Sequence, residues 1–160
     1  YFNARDHLII TLDLAKIGGS ALIGRSSLLP KGRSLEEIKR GIPVSYVPAR
    51  NTIFLSYALA WAEVINTGDI FIGVNTIDFS GYPDCRPEFV EALSKAAQLG
   101  TYPNVKIEAP FVNLYKKDIA KIGQSLGIDF NETWSCYEGG ETPCGKCTTC
   151  QERIEALENL

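Results

Sequence analysis

The stretch NTIFLSYALAWAEVINTGDIFIGVN, residues 51–75, decides the fold class. Pro48 stands before it and Gly68 divides it into two elements. Apolar residues occupy nearly every face of 52–65, which predicts a helix buried on several sides rather than lying on the surface. DIFIGVN (69–75) is short, apolar and rich in β-branched residues, the pattern of a buried strand. A buried helix feeding a buried strand is half of the repeating unit of a parallel sheet.

The alternation continues outward. RPEFVEALSKAAQLG (86–100) predicts a helix, with Pro87 in its first turn, Gly100 at its end, and Phe89, Leu93, Ala96 or Ala97, and Leu99 on its apolar face. VKIEAPF (105–111) reads as a strand, and YKKDIAKIGQSLG (115–127) as a helix with Ile119, Ile122 and Leu126 on one face and Gly127 as terminator. Towards the start, HLIITLD (7–13) reads as a further buried strand, and 18–48 as irregular chain in which Ser34 and Glu37 have capping-box spacing for a short helix over 35–40. The expected class is α/β, with a mostly parallel sheet carrying helices on both faces. Residues 1–130 form that domain, and 131–160 form a cysteine-bearing segment packed on it. Three strands are few for such a sheet. The chain also starts at Tyr1 and lacks methionine, so a segment upstream is expected.

A chain of 160 residues suits one domain with a real core. A net charge of −3 argues against sequence-independent nucleic-acid binding, which needs a basic footprint. No apolar run is long enough for a transmembrane helix, and no charged-then-apolar signal segment opens the chain. Four clustered cysteines without such a signal read as intracellular thiols, so a cytoplasmic location is expected.

Four stretches could carry chemistry. GSALIGRS (19–26) nearly matches a phosphate-binding loop, but Arg25 replaces the lysine and Pro30 blocks the helix such a loop requires, so an ordinary Gly/Ser turn is favoured. In YVPARN (46–51), Arg50 and Asn51 stand at a helix N-terminus, where backbone N–H groups favour an anion; alternatively Asn51 is a helix cap and Arg50 a solvated charge. GVNTIDFSGYPDCRPEF (73–89) follows the carboxyl end of a strand, where ligands of open α/β sheets lie. There Asp78 and Asp84 could accept N–H groups from a purine-like ring edge, Phe79 or Tyr82 could stack on it, and Arg86 could fork onto a carboxylate or phosphate. The competing reading is a Gly-Pro turn with solvated charges, in which Cys85 is a small buried residue. His7, the single histidine, has no nucleophile beside it in sequence.

The fourth is CYEGGETPCGKCTTC (136–150), with cysteines at 136, 144, 147 and 150 in the spacing Cys-x7-Cys-x2-Cys-x2-Cys. Four thiolates suit tetrahedral zinc with every position filled, which assigns the site a structural role. An iron–sulfur cluster competes because iron also takes four cysteines, whereas a redox pair does not require two further ones.

Taken together, YVPARN, GVNTIDFSGYPDCRPEFVEAL and the four-cysteine tail closely resemble the 7-cyano-7-deazaguanine synthase family of the queuosine pathway, over most of residues 7–155. The resemblance implies an adenine-nucleotide α-hydrolase-like fold and ATP-dependent conversion of 7-carboxy-7-deazaguanine and ammonia to the nitrile. It implies one structural zinc per chain on Cys136, Cys144, Cys147 and Cys150, ATP as a substrate together with Mg, and a homodimer. Its small-molecule partners would be the deazapurine, ATP and ammonia, with no direct contact to nucleic acid or membrane. Arg50, Asn51, Asp78, Ser80, Tyr82, Asp84 and Arg86 become the substrate- or nucleotide-side candidates, and no catalytic residue is assigned. The family's Ser-Gly-Gly-x-Asp-Ser phosphate loop is not found in these residues; Gly18-Gly19-Ser20 lacks its Asp-Ser ending. Two alternatives stay open: a related ATP pyrophosphatase that thiolates tRNA through Cys85, and a non-catalytic zinc-bearing interaction module.

Overall fold

A computed structural model of the chain describes residues 3–23, 41–75, 81–158 and 160. The short helix expected over 35–40, the end of the GSALIGRS stretch, and the residues Asp78, Phe79 and Ser80 lie outside the described residues. What is described of the Gly/Ser stretch is a turn: Ser20 Oγ accepts from Leu22 N at 3.1 Å, and Ala21 N donates to Val44 O at 2.8 Å.

The described elements are helix α1 (Arg50–Val64), strand β1 (Asp69–Phe71), helix α2 (Pro87–Gly100), strand β2 (Lys106–Glu108), helix α3 (Lys116–Ser125) and helix α4 (Thr148–Leu157). β1 and β2 pair in parallel, with Ile70 opposite Ile107. The crossover between them is α2, as the alternation of patterns requires, since parallel neighbours cannot be joined by a tight hairpin. The ladder is shorter than the apolar runs 69–75 and 105–111, although Lys106 N to Gly68 O and Ile72 N to Glu108 O extend it at either end. The fold class is α/β with a parallel sheet.

Leu55 and Leu59 of α1 and Val90, Leu93 and Ala97 of α2 cluster with Ile70, Ile72 and Ile107, which are side chains of one sheet face. The alternate residues Asp69, Phe71 and Lys106 are exposed among the described residues. Ser94 lies within this packing, and its Oγ accepts from Ile107 N at 2.9 Å, which satisfies a strand amide from the helix side.

Several expectations need correction, among them Leu99, expected on the apolar face of 86–100 but exposed. α1 does not bury all its faces: Asn51, Leu55 and Ala62 are buried, while Phe54, Tyr57 and Val64 are exposed. A helix that is apolar all round gives no period from which to choose its inner stripe, so packing partners make the choice. HLIITLD is not a buried strand either. Among the described residues it pairs with no strand, and Ile9 is 79% exposed. Its alternate residues Leu8, Ile10 and Leu12 instead form a shallow apolar groove with Phe54, Tyr57 and Trp61 of α1. A strand exists only as one of a pair, and periodicity cannot supply the partner.

α3 ends where the sequence places its stop. Gly127 takes φ +72, and Ile128 N reaches back to Gly123 O at 3.0 Å, a left-handed helix ending that a Cβ would strain. Its buried residue is Ala120, however, while Ile122 and Leu126 of the expected apolar face are exposed. The face that matters carries Lys116 and Gly123. A Cβ on Gly123 would approach Phe130 to 3.2 Å, and that close approach helps seat the chain leading into the cysteine segment. Arg153 of α4 completes the seat by donating to Thr133 Oγ1 at 2.6 Å and to the Phe130 carbonyl.

Candidate metal centre and adjoining cavity

The sulfurs of Cys136, Cys144, Cys147 and Cys150 all lie within 4.8 Å of one another. No pair is bonded as a disulfide; Cys144 and Cys150 sulfurs are 4.0 Å apart. A single ion about 2.3 Å from each of four tetrahedral sulfurs needs sulfur separations of roughly 3.8 Å, so this donor set fits one metal ion. A multi-iron cluster interposes several atoms between its cysteines and needs them spread more widely.

The backbone is shaped around sulfur anions. Gly145 at φ +68 makes the turn in PCGKC that lets Lys146 N and Cys147 N both donate to Cys144 Sγ, at 3.4 and 3.3 Å. Cys144 N and Glu138 N donate to Cys136 Sγ, each at 3.4 Å. Those two bonds hold the Cys136 thiol below its ordinary range. Burial pushes Cys147 up, but the Thr149 hydroxyl and donated backbone hydrogen bonds outweigh it and bring that thiol down to about 6. Cys147 caps α4, so the cluster also sits at a helix N-terminus, where the dipole favours thiolate. Thiolates are the metal-binding form; the segment favours them at Cys136 and Cys147, while burial, then the hydrogen bond to Cys147, pushes the Cys150 thiol up to about 12.

Beside the cluster lies a cavity of about 370 Å³. The chain leaving β1 forms its floor through Ile72, Gly73, Val74 and Asn75, so it opens at the carboxyl end of a parallel strand. Arg50 and Asn51 enter from the N-terminus of α1, Lys116 from the N-terminus of α3, and Tyr137, Thr149 and Glu152 from the cysteine segment. Arg50 and Lys116 make the wall cationic, and Lys116 forms an ion pair with Glu152.

The candidates from sequence divide sharply here. Arg50, Asn51 and Tyr82 line the cavity. Asp84 is only 3% exposed and lies behind it. Asp84 Oδ2 accepts from Asn51 N at 2.9 Å, while Asn51 Nδ2 donates to the Asp84 carbonyl at 2.8 Å. Asp84 therefore satisfies an orphan amide in the first turn of α1 and stands 4.0 Å from Arg50 Nη2. Ala49, not Asn51, is the cap of α1, held at φ +54 with its amide on Tyr46 Oη at 3.0 Å. The Tyr82 ring stacks on Tyr46 at 6.0 Å with Arg50 over it at 5.6 Å. Its hydroxyl lies 2.6 Å from Ser45 Oγ and 3.3 Å from Tyr137 Oη. Burial, then the Tyr82 hydroxyl, pushes the Tyr137 phenol well above its usual range. Arg86 is exposed at the start of α2 and does not line the cavity. Asp78 and Ser80 lie outside the described residues. Cys85 lines the cavity, but burial first and the Asp84 charge second push its thiol up to about 11.

Lys116, Tyr137, Thr149 and Glu152 are cavity residues that the sequence reading did not select. Lys116 had a signal: it follows the strand VKIEAPF, and the rule that drew attention to 73–89 applies equally to that junction. The other three are interleaved with cysteines, where ligand spacing masks any second role.

Among the described residues, no helix is long and apolar enough to cross a membrane. The family model described as "Queuosine biosynthesis protein QueC" matches residues 1–160. A 7-cyano-7-deazaguanine synthase of Trichodesmium erythraeum (strain IMS101) is 48% identical over 160 residues, covering 97% of this chain and 72% of that protein. The protein of the same name from Pseudomonas syringae pv. syringae (strain B728a) is 52% identical over 161 residues, covering 96% and 68%. With the parallel-strand cavity and the four-cysteine centre in place, the matching model over the whole chain and relatives at this identity show that the chain belongs to the QueC family of queuosine biosynthesis proteins.

Proposed function

We propose that the protein is an ATP-dependent carbon–nitrogen ligase that converts 7-carboxy-7-deazaguanine and ammonia to 7-cyano-7-deazaguanine. The observation that supports this most is a family-typical chain whose cavity, at the carboxyl end of a parallel strand, presents Arg50 and Lys116 to an anion. A carboxylate is a poor electrophile because its leaving group would be oxide. Attack of a carboxylate oxygen on the ATP α-phosphorus expels pyrophosphate and makes that oxygen part of AMP. Ammonia then adds to the carbonyl carbon, AMP departs with the oxygen, and an amide results. The amide oxygen is activated on a second ATP in the same way, and loss of AMP with the remaining N–H protons leaves the nitrile. What this chain supplies is position and charge: Arg50 and Lys116 hold the carboxylate or α-phosphate oxygens, and Asn51 and Tyr82 bound the ring side.

Asp78, Ser80 and Arg86 remain substrate-side candidates from the loop that precedes α2, and Asp84 acts by fixing Arg50 and Asn51. By the family resemblance the ATP phosphates, with Mg as their counterion, belong on a Ser-Gly-Gly-x-Asp-Ser loop that is not among these residues. Cys136, Cys144, Cys147 and Cys150 would hold one zinc ion with no open position, which makes it a structural ion. Residues 1–130 and 131–160 act as one packed unit in a cytoplasmic homodimer that touches neither nucleic acid nor membrane. The tRNA-thiolation alternative is not favoured, because the Cys85 thiol is buried and pushed up to about 11, the reverse of an activated sulfur. The test is to incubate the purified full-length protein with 7-carboxy-7-deazaguanine, ammonium and ATP and seek the nitrile by mass spectrometry; its absence under all conditions refutes the assignment.

A further inference from the structure

The cysteine segment is more than a remote staple, because it forms one wall of the cavity. Two contacts cross from it to the α/β part. Tyr137, next to Cys136, meets the Tyr82 hydroxyl. Glu152, two residues past Cys150, forms the ion pair with Lys116. Their side chains are 35% exposed for Lys116 and 18% for Glu152, so the pair is partly withdrawn from water and less screened than a surface bridge. Docking of α4 has other contacts besides it. Arg153 already binds Thr133 and the Phe130 carbonyl, and Phe130 packs on Gly123 of α3. Glu152 is therefore available for a task other than holding the helix in place, and the group it holds is a cavity cation.

Resting on the function proposed above, we propose that Glu152 is a positioning residue for the ligase reaction: from the metal-held helix it fixes where the Lys116 ammonium stands in the cavity. Without that acceptor the Lys116 ammonium loses its tie to the metal-held helix, and its charge is less firmly placed against the reacting anion.

The experiment compares wild type, Glu152→Gln and Glu152→Asp in the full-length protein. Brief acetylation at low reagent, resolved by peptide mass spectrometry, reads the accessibility of the Lys116 amine against exposed Lys121. Glu152→Gln is expected to raise Lys116 labelling about fivefold, the population change given by breaking a partly exposed ion pair, and to lower kcat about tenfold with a smaller change in KM. Bound metal stays at the wild-type value, the melting temperature falls by no more than about 3 °C, and Glu152→Asp recovers part of both losses. Unchanged labelling with unchanged kcat overturns the proposal. So does a loss of activity that comes with lost metal or a melting temperature lowered by about 6 °C or more, since that outcome makes Glu152 structural. Labelling is read without turnover, so a protein that forms no nitrile yet shows the labelling change and its rescue refutes the ligase assignment and leaves the Glu152–Lys116 link standing.

Discussion

Asp84→Ala is expected to cost about 3 kcal/mol of folding stability. The carboxylate is nearly fully buried and accepts the Asn51 amide at 2.9 Å within the first turn of α1. Deleting it leaves that amide without its acceptor, and a hydrogen bond to a charged group contributes roughly 1.5–3 kcal/mol. It also removes a negative charge from a helix N-terminus, worth about 0.3–1 kcal/mol. The Asn51 side chain keeps its bond to the residue-84 carbonyl, so the loss stops short of undocking the helix. For a domain of this size roughly 3 °C per kcal/mol applies, which predicts a melting temperature lowered by about 9 °C. Asp84→Asn keeps an oxygen acceptor and should lose about half as much. Urea unfolding followed by circular dichroism measures both. A cost below about 0.5 kcal/mol for Asp84→Ala, within the range of ordinary surface changes, would refute the argument that this carboxylate serves α1.

Cys144→Ser should abolish stoichiometric metal binding and cost several kcal/mol of stability, because metal-binding energy is here folding energy; metal analysis with thermal melting checks it. Arg50→Ala should weaken binding of the carboxylate substrate about tenfold or more with a smaller effect on folding, read by calorimetry. Cys85→Ser should retain turnover, and the wild-type Cys85 thiol should resist alkylation at neutral pH because it is raised from 9.0 to about 11. The same shift has a sign: the folded state holds this proton more tightly, so its contribution to stability is fully present below pH 9 and is lost as pH rises from about 9 to 11, and the fall over that window is smaller in Cys85→Ser.

The α/β unit was legible because its signals are local. The helix–strand boundary in 51–75, Pro87 at the start of α2 and Gly127 after α3 each act within one turn of chain. The cysteine centre was legible for the same reason, since PCGKC builds its own turn. HLIITLD failed because pairing is a property of two segments. The loop 81–86 shows the limit most clearly. Its short 3-10 turn over Pro83–Cys85 sends Asp84 inward and leaves Arg86 exposed, although the two residues carry equally reactive side chains. The cavity draws Lys116 from one helix and Glu152 from another, 36 residues apart, and no spacing rule joins them. Asp84 also shows how a chemically apt residue can be drawn inward: one of its carboxylate oxygens accepts the Asn51 amide.

The most direct test of the central claim is the fate of the substrate oxygen. The full-length protein is given 7-carboxy-7-deazaguanine labelled with ¹⁸O in its carboxylate, together with ATP and ammonium, and the products are weighed by mass spectrometry. Adenylation of the carboxylate and then of the amide predicts that the label leaves in AMP, one oxygen at each activation, with pyrophosphate unlabelled. Label found in inorganic phosphate beside ADP, or retained in an amide that accumulates without nitrile, would contradict the account.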